Sequence, residues 1–205
     1  MTDLTAREVV EKLHQYDDLP SFPKINIHFL ATAPGNEHLL KFMTEKPDNP
    51  IRFKGKRIGI IATHGVEETE VSIPRKWFEA RGAICHLVSP NHIEYAPAFG
   101  IQFPEIAKTH VLAVQFTENS GWIPIDARIE EAAVEDYDAV YVPGGAWNPD
   151  QLRANPAVLS FLQKFHDQCG GHSVGRTCGG GRERNHQPLY YDIPQFVDAI
   201  VAQLN

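Results

Sequence analysis

The sequence predicts an α/β fold: a mostly parallel sheet with helices on both faces. Three observations carry this. First, Arg57–Ala62 (RIGIIA), Ala83–Val88 (AICHLV) and Ala139–Val142 (AVYV) are short, continuous apolar runs, the mark of strands buried on both faces. Second, amphipathic helical stretches alternate with them, a rhythm that points to parallel strands joined by crossover helices. Third, the chain has 205 residues, enough for one domain of ordinary size with an appended segment. A chain of that length buries roughly 70% of the surface that its unfolded form exposes, so a core needs neither disulfides nor metal.

Residues 1–55 read as an N-terminal extension and residues 56–205 as the domain. In the extension, Thr5 caps a helix over Ala6–Tyr16 that places Val9, Val10 and Leu13 on one face. Lys24–Ala31 (KINIHFLA) alternates like a strand, and Asn36–Glu45 reads as a second short helix. KPDNPIRFKGK is a linker by its prolines and charges. In the domain, the first strand leads into a loop, His64–Glu70, and then a helix, Val71–Arg81, that Gly82 ends as a C-cap. The second strand is Ala83–Val88. A long loop from Ser89 to His110 carries Pro90, Pro97 and Pro104, and Val111–Phe116 is a strand. Ala127–Val134 reads as a short helix or a turn of helix. Ala139–Val142 is closed by Pro143, Gly144 and Gly145, and one helix runs from Pro149 to Asp167. Residues 169–190 break the rhythm with a glycine-rich stretch, CGGHSVGRTCGGGRERNHQP. Ile193–Leu204 is again an amphipathic helix.

The formal net charge of −7, from 19 basic and 26 acidic residues, argues against a nucleic-acid binder that tracks phosphates. No apolar run approaches the roughly 20 residues that span a bilayer, and the polar N-terminus does not read as a secretory signal. Three cysteines, Cys85, Cys169 and Cys178, read as reduced thiols of a cytoplasmic protein. They lack the paired spacing of a zinc site, and the ten histidines lack ligand spacing, so no metal is expected.

Four pieces of sequence resemble the DJ-1/PfpI (ThiJ-like) superfamily. RIGIIATHGVEETEVSIPRKWFEARGA looks like its first strand, acidic loop and first helix. AICHLVSP looks like its second strand. YDAVYVPGGAWNPDQLRANPAVLSFLQKFHDQ looks like its PGG turn and following helix, and DIPQFVDAIVAQL like its C-terminal helix. The resemblance implies a flavodoxin-like sheet and cysteine-dependent hydrolase, amidase or glyoxalase-like chemistry on small carbonyl compounds or damaged proteins, without a cofactor. It implies that a carboxylate of the acidic loop contacts the nucleophilic thiol; Glu70 is the best match and Glu67 the second. It also implies that the amides at Gly144 and Gly145 hold developing negative charge. A thiol needs such a device to ionise near neutral pH, and exposed amides of a tight turn stabilise an oxyanion. Family members are often dimers, so a homo-oligomer acting on a small-molecule or protein substrate is the expectation, with no nucleic-acid or membrane partner.

The family's nucleophile turn, in a strand like GKPVAAICHGP, has no counterpart here. CGGHSVGRTCGGG stands in its place, and far fewer residues than in the family separate the preceding helix from the C-terminal one. The sheet is therefore expected to lack part of its C-terminal half. Gly170–Pro188 can be encoded so that reading one nucleotide later gives AGIRWDERVVVDGNAITSR, which looks like the family's hairpin and strand before the last helix. The expectation is an internal deletion whose shifted frame is restored near Leu189.

Several residues invite a role and are read otherwise. Ala83-Ile84-Cys85-His86 begins like the family's nucleophile motif, but no glycine follows and the strand continues; Cys85 is a small buried thiol of the core. Gly171-His172-Ser173-Val174-Gly175 matches a serine-hydrolase elbow, but neither a strand precedes it nor a helix follows, leaving Ser173 a distant alternative. Cys178 and Cys169 are weak candidates for the thiol. Trp77 and Phe78 read as core. Trp147 suits the pocket wall and plain packing equally. The alternative function is a non-catalytic stress-response or binding protein of the same fold.

Overall fold

The computed structural model describes residues 32–91, 105–114, 121–168 and 193–204. The expected elements at Ala6–Tyr16 and Lys24–Ala31, the stretch 169–190 and the thiols Cys169 and Cys178 lie outside them, as does Ser173.

Four strands form a parallel sheet: β1 (Arg57–Ile61), β3 (Ile84–Ser89), β6 (Ala127–Arg128) and β7 (Ala139–Tyr141), in the order β6-β3-β1-β7. β1 is central. Its Ile58 pairs with Cys85 on one side and Ala139 on the other, and Ile60 with Leu87 and Tyr141. The remaining strands, β2 (Val66–Glu67), β4 (His110–Val114) and β5 (Trp122–Pro124), form a smaller ribbon; β4 runs parallel to β2 and antiparallel to β5. β5 has no counterpart in the sequence reading.

Strand periodicity divides the core into two layers. Ile58, Ile60, Cys85, Leu87, Ala139 and Tyr141 face helices α1 (Glu37–Thr44), α2 (Glu68–Glu79) and α5 (Ile193–Leu204), through Leu39, Val71, Phe78, Val197 and Ile200. Ile61, Val88 and Val140 face helices α3 (Asn148–Arg153) and α4 (Pro156–Gln168), through Leu152, Val158, Phe161 and Phe165. The sheet is thus flanked by helices on both faces, the α/β architecture that the apolar runs predict. Among the described residues, β7 pairs only with β1 and forms the sheet edge, in keeping with the shortened sheet. Its other support is α5, where Phe196 packs edge-on against Tyr141 at 5.0 Å.

Four expectations are corrected. Ala127–Val134 is not a helix: Ala127 and Arg128 pair with Val88 and Ser89 of β3, and residues Val134–Asp136 form a 3₁₀ turn. Tertiary pairing overrides the local pattern there; the Asp126 carboxylate accepts the Leu87 amide at 2.8 Å and locks the register. The stretch from Pro149 to Asp167 is two helices, because Asn155 caps the second by accepting the amides of Ala157 and Val158, with Pro156 at its first position. The first domain helix begins at Glu68 rather than Val71, which puts Pro74 inside it and leaves the Glu70 carbonyl without an amide from position 74. The stretch KPDNPIRFKGK is not merely a spacer: Phe53 is buried against Phe78 and Trp77.

Candidate functional site

The strand order reverses between β1 and β7. The chain proceeds outward from β1 to β3 and β6, then returns to the other side as β7. In an open parallel sheet, the crevice beyond the carboxyl ends of such strands is where ligands bind. Two segments meet there: residues 63–70 after β1, and residues 142–147 after β7.

These segments are stitched together by backbone. The Glu67 amide donates to the Gly144 carbonyl at 3.2 Å, and Val66 bridges antiparallel to Gly145. Gly145 is there of necessity. Its φ is +121°, and a Cβ would lie 2.2 Å from the Gly65 carbonyl oxygen and 2.5 Å from the Glu67 nitrogen. Gly65, with φ of +80°, lies directly under the Trp147 ring. Trp147 is half exposed, so its ring covers the Gly65 turn on one side and meets solvent on the other.

The crossing brings together the residues that the sequence singled out. The Glu70 carboxylate, in the first turn of α2, accepts the backbone amide of Gly144 through Oε2. Glu67 is buried alongside, and its Oε1 accepts the Thr69 hydroxyl at 3.1 Å. Burial pushes the Glu70 carboxyl up to about 7; the Gly144 amide pulls it down, and the neighbouring Glu67 charge raises it again. The result is a carboxyl that exchanges its proton near neutral pH, held against the amide of a glycine turn. Such a group can hold or deliver a proton, and its bond takes up the Gly144 amide that the sequence reading assigns to a developing negative charge.

Cys85 is not near this crossing. It lies on β3 under α2, with its thiol 4.0 Å from the Arg75 carbonyl oxygen. Burial pushes the thiol up to about 12, and the Glu79 charge adds to it against Arg75. That is the state of an inert core thiol, as the sequence reading has it. Phe78 is fully buried and Trp77 packs on Phe42 and Phe53, again core and not cage.

Two site residues escaped the sequence reading. Asn148, fully buried at the start of α3, accepts the Thr63 amide at 2.7 Å and donates to the Pro143 carbonyl at 2.6 Å. His64 accepts the Leu112 amide through Nδ1 at 2.9 Å, which leaves the proton of the neutral ring on Nε2, and it meets Trp122 edge-on at 5.9 Å. An asparagine directly before a helix-opening proline was the available signal for the first. For His64, whose bond comes from a strand 48 residues away, there was none.

Residues 56–181 match the DJ-1/PfpI family. General stress protein 18 of Bacillus subtilis is 27% identical over 111 residues, which are 54% of this chain and 54% of that protein. The chain thus spans about half the length of this curated relative. Among solved structures, a cysteine-to-alanine variant of a DJ-1 superfamily protein from Salmonella typhimurium is 18% identical, with a TM-score of 0.41 over 55% of this chain and 51% of that one. A two-domain protein of Anabaena variabilis, with DJ-1/ThiJ/PfpI-like and ferritin-like domains, is 24% identical, with a TM-score of 0.40 over 55% of this chain and 27% of that one. No helix of the described residues is long and apolar enough to cross a membrane. With the match taking in more than half of its length, the chain belongs to the DJ-1/PfpI family.

Proposed function

We propose that this chain is a stress-response protein of the DJ-1/PfpI family that keeps the carboxyl-and-amide half of the family's site and in which cysteine-dependent hydrolase or glyoxalase-like chemistry is impaired. Glu70 is the proton-holding group of that half, Glu67 tunes it, and the Gly144–Gly145 turn is its anion-facing wall. The observation that carries the reading is the bond from the Gly144 amide to Glu70: the carboxyl is engaged by the turn itself. The sequence supports it from the other side, since CGGHSVGRTCGGG occupies the place of the nucleophile strand. The relative's name, a general stress protein, supports the physiological setting.

The test is alkylation kinetics near neutral pH, with each cysteine followed by peptide mass spectrometry in the wild-type chain and in Glu70→Gln. The expected result is that Cys169 and Cys178 label at the rate of an unfolded control and that Glu70→Gln changes neither. Fast labelling of either thiol that slows in Glu70→Gln would overturn the impaired reading and make the chain a working cysteine enzyme.

A further inference from the structure

The amide that Glu70 engages belongs to the peptide unit between Pro143 and Gly144, and the carbonyl of that same unit is held by Asn148. The peptide is trans, so its N–H and C=O point in opposite directions. Gly144 donates from one end to the Glu70 carboxylate. Asn148 Nδ2 donates to the other end, the Pro143 oxygen, at 2.6 Å. The Asn148 Oδ1 accepts the Thr63 amide at 2.7 Å, at the carboxyl end of the central strand. Only one orientation of the side-chain amide satisfies both partners, because a backbone amide must meet oxygen and a carbonyl must meet N–H.

This is not helix capping. Asn148 is the first residue of α3, and that helix has no side-chain bond at its cap. Both bonds of the Asn148 carboxamide go to Thr63, two residues past β1, and to the turn. It is fully buried, so losing either bond would leave a polar group unsatisfied in a dry site. Two neighbours brace it: the Gln151 side chain donates to the His64 carbonyl at 3.1 Å, and the Trp147 amide to the Gly65 carbonyl at 3.4 Å. The need for a brace is physical. A peptide flanked by glycine rotates at little steric cost, and half a turn would aim the Gly144 N–H away from Glu70. A donor on the carbonyl also polarises the unit and strengthens its N–H as a donor.

We propose that Asn148 is a positioning residue that fixes the Pro143–Gly144 peptide from its carbonyl end, so that the Gly144 amide stays aimed at Glu70. The inference rests on the reading of Glu70 and Gly144 as the working half-site, and it concerns geometry, not the identity of any nucleophile.

The test is nuclear magnetic resonance of the full-length chain across pH 5–9. In the wild type, the Gly144 amide proton is expected to titrate with a midpoint near 7, and Glu70→Gln is expected to abolish that titration. In Asn148→Ala, and in Asn148→Asp, which keeps an acceptor for Thr63 but loses the donor to Pro143, the amplitude at Gly144 is expected to fall by about threefold or more, since donor strength drops steeply with misalignment. A folded variant of either kind that keeps the full amplitude overturns the proposal. Should neither variant fold, the wild type decides. The Asn148 side-chain amide protons are expected to be protected from exchange and to shift with the same midpoint; freely exchanging or unshifted protons overturn it. A Gly144 titration that survives in Glu70→Gln would overturn the half-site reading and the positioning role together, whereas loss of the Asn148 effect alone overturns only the latter.

Discussion

The Glu70 carboxylate and the Gly144 amide, 74 residues apart in the chain, meet in a hydrogen bond where the loops after β1 and β7 cross. The contact is close enough that a Cβ on Gly144 would lie 2.9 Å from Glu70 Oε2. It joins the two sequence features that define the candidate site, an acidic loop and a glycine turn, into one unit. It also fixes the electrostatics. A carboxylate that buries itself against a single amide gives up more hydration than the amide returns, and burial therefore dominates its titration.

The first prediction follows from that balance. Glu70 has its folded-state pKa raised from 4.5 to about 7. A raised folded value means that the folded chain binds the proton more tightly than the unfolded chain. The stabilisation this brings is fully present below the unfolded pKa and is lost as pH rises through about 7. The shift corresponds to a difference on the order of 3 kcal/mol. Glu70→Gln keeps an acceptor for the Gly144 amide and removes the titration. Thermal unfolding is expected to show Glu70→Gln matching the wild type at pH 4, below the unfolded pKa, and exceeding it at pH 8 by a few kcal/mol. Equal stabilities at both pH values would mean that the carboxyl titrates in its ordinary range.

A second prediction concerns the turn. Gly145→Ala forces a side chain into a positive φ and into the backbone of Gly65 and Glu67. Strain and overpacking of this kind cost about 1–3 kcal/mol each. The variant is expected to lose about 3 kcal/mol or more by chemical denaturation, and the loss should appear at every pH. That independence of pH separates it from the Glu70 effect.

Much of this architecture is legible in the sequence, for reasons that can be named. RIGII alternates its burial between two layers because both faces of β1 are covered, and such a strand must be apolar throughout. The helix at Ile193–Leu204 shows its period because one face seals the core. What stayed hidden depends on distant partners. Ala127 and Arg128 carry no strand signal of their own and become a strand by pairing with Val88 and Ser89. Phe53 sits among charges and prolines, and its burial is decided by Trp77 and Phe78 on a helix that follows it. The site divides in the same way. Glu70, Glu67, Gly144 and Gly145 stand out as a charged loop and a PGG turn. Asn148 becomes meaningful only when Thr63 and Pro143 are brought to it.

A third prediction tests the assignment of Cys85 to the core. With burial pushing its thiol up to about 12, almost no thiolate exists at pH 8. Iodoacetamide is expected to leave Cys85 unmodified in the native chain over a time in which an unfolded control reacts fully, as read by peptide mapping. Rapid native labelling would mean that β3 and α2 open around it.

The fourth prediction concerns Tyr141, whose hydroxyl is buried and has no hydrogen-bond partner among the described residues. Burial holds its phenol far above the usual range, so it is a neutral group throughout the working pH range. A neutral hydroxyl taken from water without a partner costs about 1–3 kcal/mol, whereas the ring itself packs against Phe196 and fills the space beneath the helix. Tyr141→Phe removes the hydroxyl and keeps the ring. It is expected to raise unfolding stability by about 1 kcal/mol, uniformly between pH 5 and 9, in a urea titration. Tyr141→Leu controls for the ring and is expected to destabilise by a similar amount or more, because the edge-on contact with Phe196 is lost and a cavity is left. A destabilised Tyr141→Phe would mean that the hydroxyl is bonded in solution and that β7 is anchored by its polar end as well as its apolar one.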